Sequence, residues 1–136
     1  MHVYVDSSAL IKRVLAEAES AALEDFLEEH YQRADLLASS SLAWVEVSRA
    51  VLARVKPAAG AGDLIEAALA GIDERAMTAD VISVARRIEP LILRSLDAIH
   101  LATAVLTDAD LVVTYDDRLA DACRRNALAV LMPGRD

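Results

Sequence analysis

The sequence has little cysteine, few aromatic residues and almost no lysine, and these shortages narrow the classes of protein to consider. Its single cysteine, Cys123, excludes an internal disulfide and has no Cys or His partner at zinc-site spacing, so we expect a small buried hydrophobe. Aromatic residues make up 4% of a chain that is 55% hydrophobic. The core must therefore be built from Ala, Leu, Val and Ile, which suit helices packed on a sheet.

Long apolar runs are also missing. No run approaches the roughly 18 residues that a membrane-spanning helix needs. Asp6 interrupts the N-terminal segment before a signal-peptide core could form. Together with the lack of disulfides, this predicts a cytoplasmic protein that does not contact a membrane. A length of 136 residues predicts one domain, 1–136.

Acidic residues outnumber basic ones, 22 against 14, for a net charge of −8. This counts against nucleic-acid binding, which usually requires a basic surface. Two features weaken the objection: several acids can be assigned to a metal site that cations would neutralise, and the arginines are unevenly placed, at 49, 54, 86, 87 and 94. A basic partner chain is another natural consequence of so acidic a surface.

Short β-forming runs alternate with helical patterns along the chain. This order predicts a mostly parallel sheet with helices on both faces. The predicted strands are 2–5, 36–38, 75–77, 111–115 and 129–131. The predicted helices are 9–16, 20–31, 42–55, 63–72, 79–88, 96–106 and 118–126, with Ser7 or Ser8 capping the first, Ser39 to Ser41 starting the third, Pro57 ending it and Ser95 capping the sixth.

Two acids directly follow predicted strands: Asp6 follows the first, and Asp116 follows the run 111–115. Ligands gather at the carboxyl ends of strands in an open parallel sheet. An Asp at a strand end is also a common helix cap, and either acid taken alone fits that role. Their shared position at the ends of two strands favours a joint site.

Two further acids lie on helices. Glu46 has a mainly small, apolar stripe around it, although a surface pair with Arg49 is an alternative. Asp97 lies in the first turn of a helix that is apolar on several sides, where the helix dipole favours an ionised acid. His100 follows three residues later, and since hard cations prefer oxygen ligands, we expect it to be a hydrogen-bonded core residue.

Clustered carboxylates repel one another unless a cation holds them together. Oxygen ligands with several retained waters describe a Mg²⁺ or Mn²⁺ site. Such an ion lowers the pKa of bound water and neutralises charge on a phosphoryl group. Hydrolysis of a phosphodiester is the chemistry that this set of acids predicts.

These segments closely resemble the PIN-domain family, in particular its VapC-type toxins of toxin–antitoxin pairs. The resemblance covers essentially the whole chain and is most specific in the last two of its four motifs, with 56–90 offering no diagnostic motif. The motifs are VYVDSSALIK, SSLAWVEVSRA, LRSLDAIHLATA and LVVTYDDRLADACRRNALAVLMPG.

The resemblance implies a three-layer α/β/α PIN-like fold with about five strands and a metal-dependent endoribonuclease activity on RNA. It also implies a homodimer and inhibition by a cognate VapB-like antitoxin. Carried over by position, Asp6, Asp97 and Asp116 would hold the main Mg²⁺ or Mn²⁺ ion and Glu46 would complete the cluster. Ser8 and Thr114 would bind metal-bound water or phosphate, and Asp117 is expected to be a solvated helix-start residue, although spacing alone leaves contact with the metal open.

Single residues argue against two rival functions. A receiver domain needs a lysine near the end of its last strand, and neither Lys12 nor Lys56 lies there. A haloacid-dehalogenase-type phosphatase needs a second Asp two residues after the first, where this chain has Ser8. A stand-alone RNA-processing PIN nuclease and a catalytically silent binding module remain as alternatives.

Overall fold

The computed structural model describes residues 1–56 and 58–135. Five strands and seven α-helices are present in these ranges. The strands are β1 (His2–Val5), β2 (Leu36–Ser40), β3 (Asp73–Arg75), β4 (Leu111–Val113) and β5 (Ala129–Leu131). The helices are α1 (Ser7–Lys12), α2 (Ser20–Gln32), α3 (Ser41–Arg54), α4 (Ala61–Leu69), α5 (Ala79–Ala85), α6 (Ser95–Leu106) and α7 (Asp117–Arg125), with a 3₁₀ turn at Ala58–Gly60.

All the pairings of the sheet are parallel, in the order β3-β2-β1-β4-β5. β1 is central, with Val3 opposite Leu37 of β2 on one side and Val5 opposite Val113 of β4 on the other. The strand order therefore reverses at β1. In open sheets of this kind the crevice for a ligand lies at such a reversal, beyond the carboxyl ends of the strands.

Helices cover both faces of the sheet because side chains alternate along each strand. Val3 and Val5 face one core, which they share with α1, α2, α3 and α4, while Tyr4 between them faces the other core, with α6 and α7. Because α5 packs on α6, it extends the second layer. The predicted three-layer α/β/α architecture is confirmed.

The core has the predicted composition. Its fully buried residues are mostly Val, Leu and Ala, with Tyr4 as the largest side chain. Cys123 has no exposed surface, which confirms the expected small buried hydrophobe. No helix within the described ranges has the length and apolarity to cross a membrane.

Several predicted boundaries and caps are wrong. The first helix starts at Ser7, because Asp6 rather than Ser7 or Ser8 accepts the free amide of its first turn. It ends at Lys12, earlier than predicted. The third strand is Asp73–Arg75, two residues earlier than predicted, because its register pairs it with the end of β2. Helix α6 includes Ser95, and Arg94 is its N-cap without a side-chain bond.

Other predicted elements differ in length. β2 is longer than predicted, because its last residues pair with β3, and β4 ends before Thr114. The Ser39–Ser41 start signal is confirmed, since the Ser40 hydroxyl accepts the amide of Leu42 at 3.1 Å. Helix α3 ends at Arg54, one residue before the predicted end, and Pro57, which was expected to stop it, lies outside the described residues.

Candidate functional site

The acids that follow β1 and β4 both cap the next helix. Asp6 accepts the amide of Ala9 through Oδ1 at 3.1 Å. Asp116 accepts the amides of Arg118 and Leu119 through Oδ1, at 2.9 and 3.2 Å. Both carboxylates therefore lie at helix N-termini on the same edge of the sheet, where the helix dipole favours negative charge. The capping role considered for each acid is real, and it fixes the two acids at the predicted edge.

Asp6 is the most deeply held of these acids. Only 3% of the residue is exposed, and its carboxylate accepts the hydroxyls of Ser8 and Thr114, each at 2.6 Å. Burial raises the pKa of Asp6, although these hydroxyls, the Ala9 amide and nearby His100 oppose the rise. The hydroxyls of Ser8 and Thr114, which were expected to bind metal-bound water or phosphate, donate to Asp6 in the structure.

The same hydroxyls join the ends of β1 and β4. Ser8 Oγ accepts the backbone amide of Tyr115 at 2.9 Å, and Thr114 Oγ1 accepts that of Asp116 at 3.0 Å. Asp6 also donates its own amide to the carbonyl of Val113 at 3.1 Å. The position of Asp116 relative to Asp6 is therefore set by a short chain of hydrogen bonds.

The side chain of Glu46, on α3, is held by a residue of the helical layer on the other face of the sheet. Its Oε1 lies 2.6 Å from Nε2 of His100, and Nδ1 of that ring lies 2.6 Å from the hydroxyl of Tyr4. The Tyr4 hydroxyl also accepts the amide of Ser40 at 3.2 Å. Since a carboxylate only accepts, Nε2 donates to Glu46. In the neutral tautomer Nδ1 then accepts from Tyr4.

His100 is thus the hydrogen-bonded core histidine that the sequence predicted, with 2% of it exposed. What the sequence did not reveal is that it holds Glu46 in place. Burial lowers the pKa of His100, but the bond to Glu46 and the charges of Asp6, Glu46 and Asp97 outweigh burial and raise it. The spacing of three residues between Asp97 and His100, which puts both on one face of α6, is the signal that could have indicated this.

Asp97 is half-buried in the first turn of α6. Burial raises its pKa, and the charges of Asp116, Asp6 and Glu46 raise it further. Asp97 therefore lies within electrostatic reach of the other three predicted acids. Asp117, by contrast, is the exposed first residue of α7, in agreement with its expected role as a solvated helix-start residue.

The four acids do not form a ready-made ligand shell. Across residues 1–56 and 58–135, no group of three or more Asp, Glu, His or Cys side chains is arranged so that it could hold a metal ion as it stands. Asp6 and Asp116 use oxygens to cap helices, and Glu46 bonds to His100. The donors nevertheless fit a hard divalent cation, since all four are carboxylates and the charges of the other three raise the pKa of Asp97. Binding an ion would require a rearrangement of these side chains.

The sequence matches the model of the PIN domain over residues 3–125. It is 41% identical to Ribonuclease VapC46 of Mycobacterium tuberculosis over 133 residues, covering 96% of this chain and 97% of the relative. The structure is similar to the crystal structure of VapBC2 from Rickettsia felis bound to a promoter DNA fragment, with a TM-score of 0.77, 14% identity and coverage of 96% and 98%. It is also similar to a toxin–antitoxin complex from Klebsiella pneumoniae, with a TM-score of 0.66, 19% identity and coverage of 96% and 97%.

Proposed function

Because this chain belongs to the PIN-domain family and within it to the VapC ribonucleases, we propose that it is a metal-dependent toxin endoribonuclease. Its substrate is RNA, and the reaction is hydrolysis of a phosphodiester bond. The observation that carries the proposal is the convergence of four acids from separate elements, which raises the pKa of Asp97. These acids are Asp6, Glu46, Asp97 and Asp116.

Asp6, Asp97 and Asp116 would hold a Mg²⁺ or Mn²⁺ ion, and Glu46 would complete the cluster. When bound, such an ion supplies a water of lowered pKa and neutralises charge on the phosphoryl group. Ser8 and Thr114 keep Asp6 in one orientation through their 2.6 Å bonds. His100 does the same for Glu46. Bonds of this kind hold ligating carboxylates in position.

Repulsion between the acids disfavours the cluster when it holds no cation. The same charge would attract a basic side chain of an inhibitor. The toxin–antitoxin complex from Klebsiella pneumoniae supports a cognate antitoxin as the partner. A homodimer is supported by two exposed apolar residues on one face of α3, Val45 and Leu52. Because its RNA substrate is cellular, we propose that the protein acts in the cytoplasm.

The test is cleavage of cellular RNA by the purified protein with Mn²⁺, with Mg²⁺ and with EDTA. Asp6→Asn, Asp97→Asn and Asp116→Asn should each lower the rate by orders of magnitude and keep the fold. Asp25→Asn is the matched control, since this exposed acid of α2 lies outside the cluster. Full activity in one of the three variants would remove that residue from the site, and no cleavage by the wild type would favour a silent binding module.

A further inference from the structure

Six of the 14 lysine and arginine side chains form ion pairs in the part of the chain that the structure describes. Within the described ranges, ion pairs shorter than 4 Å involve Lys12, Arg13, Arg33, Arg75, Arg125 and Arg135. Arg86, Arg94 and Arg118 are exposed and have no carboxylate within that distance in the same ranges. In a chain with a net charge of −8, these three arginines form a local excess of positive charge.

The three arginines lie along two adjoining surface cavities. Arg94 and Arg118 line the first together with Ile92 and Leu93. Leu93 also lines the second cavity, where Arg86 and Leu91 face it. Leu93 is therefore the shared wall, and the arginines follow one continuous path. We name the surface of Arg86, Leu91, Ile92, Arg94 and Arg118 the arginine strip.

One acid also lines the first cavity. Asp121 lies there, but its carboxylate is bonded to Arg125 at 2.9 Å. Its charge is therefore compensated within α7 and does not cancel that of Arg118. The arginine strip therefore stays positively charged where it passes Asp121.

The arginine strip begins at the acid cluster. The amide of Arg118 donates to Oδ1 of Asp116 at 2.9 Å, and Arg94 is the N-cap of α6, whose first turn contains Asp97. The two arginines thus lie next to two of the acids on which the reaction depends. A chain that follows the strip reaches the carboxylates at its end.

Two apolar side chains stand between the arginines. Leu91 is 75% exposed and Ile92 is 92% exposed, the highest values among the exposed large hydrophobic residues of the described chain. Cations that alternate with exposed apolar surface match a single-stranded nucleic acid, whose phosphates need charge and whose unstacked bases need a nonpolar contact. An antitoxin that neutralises the acids with a basic side chain would be repelled by the same strip.

We propose that the arginine strip binds the RNA strand on one side of the scissile bond and leads it to the acid cluster. Arg94 and Arg118 contact its phosphates nearest the cluster, Arg86 contacts a phosphate further along, and Leu91 and Ile92 contact bases. This inference rests on the proposed ribonuclease function. It explains how an acidic protein binds a polyanion, because three arginines, unpaired within the described ranges, line adjoining cavities next to the acid cluster.

The experiment measures steady-state cleavage of a labelled single-stranded RNA with Mn²⁺ at several salt concentrations. Arg94→Gln and Arg118→Gln should each raise KM about fivefold, the loss of about 1 kcal/mol of binding, with kcat nearly unchanged. The slope of log(kcat/KM) against log salt should fall by about 0.7 for each phosphate contact removed. Arg94→Lys, which keeps the charge, should preserve the slope.

Two further variants separate charge from packing. Ile92→Ser should raise KM and leave the salt slope unchanged, because it removes an apolar contact and no charge. Arg54→Gln is the matched control, since this exposed arginine at the end of α3 lies in the opposite helical layer and makes no ion pair in the described ranges. It should leave KM and slope at wild-type values.

The outcomes are distinguishable. A wild type that cleaves RNA while Arg94→Gln and Arg118→Gln keep its KM and salt slope overturns the strip and leaves the ribonuclease standing. Variants that cleave normally but lose antitoxin binding also overturn it, and assign the surface to a protein partner. A wild type that cleaves no RNA with either metal ends the proposed function and the strip together.

Discussion

The hydroxyl of Tyr4 can be removed without changing the shape of the core, which makes it a sensitive test of the network behind Glu46. Tyr4 lies on the central strand with no exposed surface, and its hydroxyl bonds to His100 at 2.6 Å and to the amide of Ser40 at 3.2 Å. Tyr4→Phe keeps the ring. It leaves Nδ1 of His100 and the amide of Ser40 without this partner.

A buried polar group that loses its partner costs about 1–3 kcal/mol. Two such groups should therefore lower the free energy of unfolding by roughly 2–4 kcal/mol, with the lower end favoured because Phe fills the same space. For a domain of this size about 1 kcal/mol corresponds to about 3 °C in Tm, so we expect a drop of roughly 6–12 °C. RNA cleavage should also slow, since the ring of His100 loses the bond to Tyr4 that orients it towards Glu46.

The assay is thermal and urea unfolding of the metal-free protein, followed by RNA cleavage with Mn²⁺. Tyr31→Phe is the matched control because Tyr31 is 60% exposed and makes no side-chain hydrogen bond within the described ranges. It should stay within about 0.5 kcal/mol of wild type. A Tyr4→Phe protein as stable as this control would refute the network as a source of stability, and unchanged cleavage would refute its role in positioning Glu46.

Three further predictions follow from burial and charge. Without metal, Asp97→Asn should melt no lower than wild type because it relieves repulsion, whereas Mn²⁺ at 100 times its Kd should stabilise wild type by about 2.7 kcal/mol and the variant by less; equal shifts would argue against a shared site. The N-terminal amine and His30 lower the pKa of Asp35, so its contribution is present above pH about 4 and is lost as pH falls through the folded pKa. Urea midpoints of wild type and Asp35→Asn should thus differ at neutral pH and converge in acid, and a constant difference would contradict this. Burial raises the pKa of Cys123 to about 12, so its thiol should resist iodoacetamide in the native protein and react in urea; rapid native alkylation would show that the site is open.

The fold was largely predictable because local signals agreed with one another. Alternating strands and helices predicted the parallel sheet, and the serines at 39–41 predicted the start of α3. The wrong predictions concern features that depend on competition between neighbouring groups or on pairing with another strand. Asp6 has a side chain that can cap a helix just as Ser7 and Ser8 do, and only its extended backbone at the end of β1 gives it that role. The position of β3 depends on its register with β2, which no local pattern contains.

The sequence by itself determined which acids follow the strands, the layer architecture and the family, because these depend on residue type, spacing and periodicity along the chain. Only the tertiary structure decided what holds each acid. His100 and Glu46 lie 54 residues apart and Thr114 and Asp6 lie 108 apart, so their bonds exist only after the strands pair and the two helical layers pack. The arginine strip has the same origin, because Arg86, Arg94 and Arg118 come from three separate segments that line two adjoining cavities. Long-range packing brings these groups together, and a one-dimensional pattern does not record it.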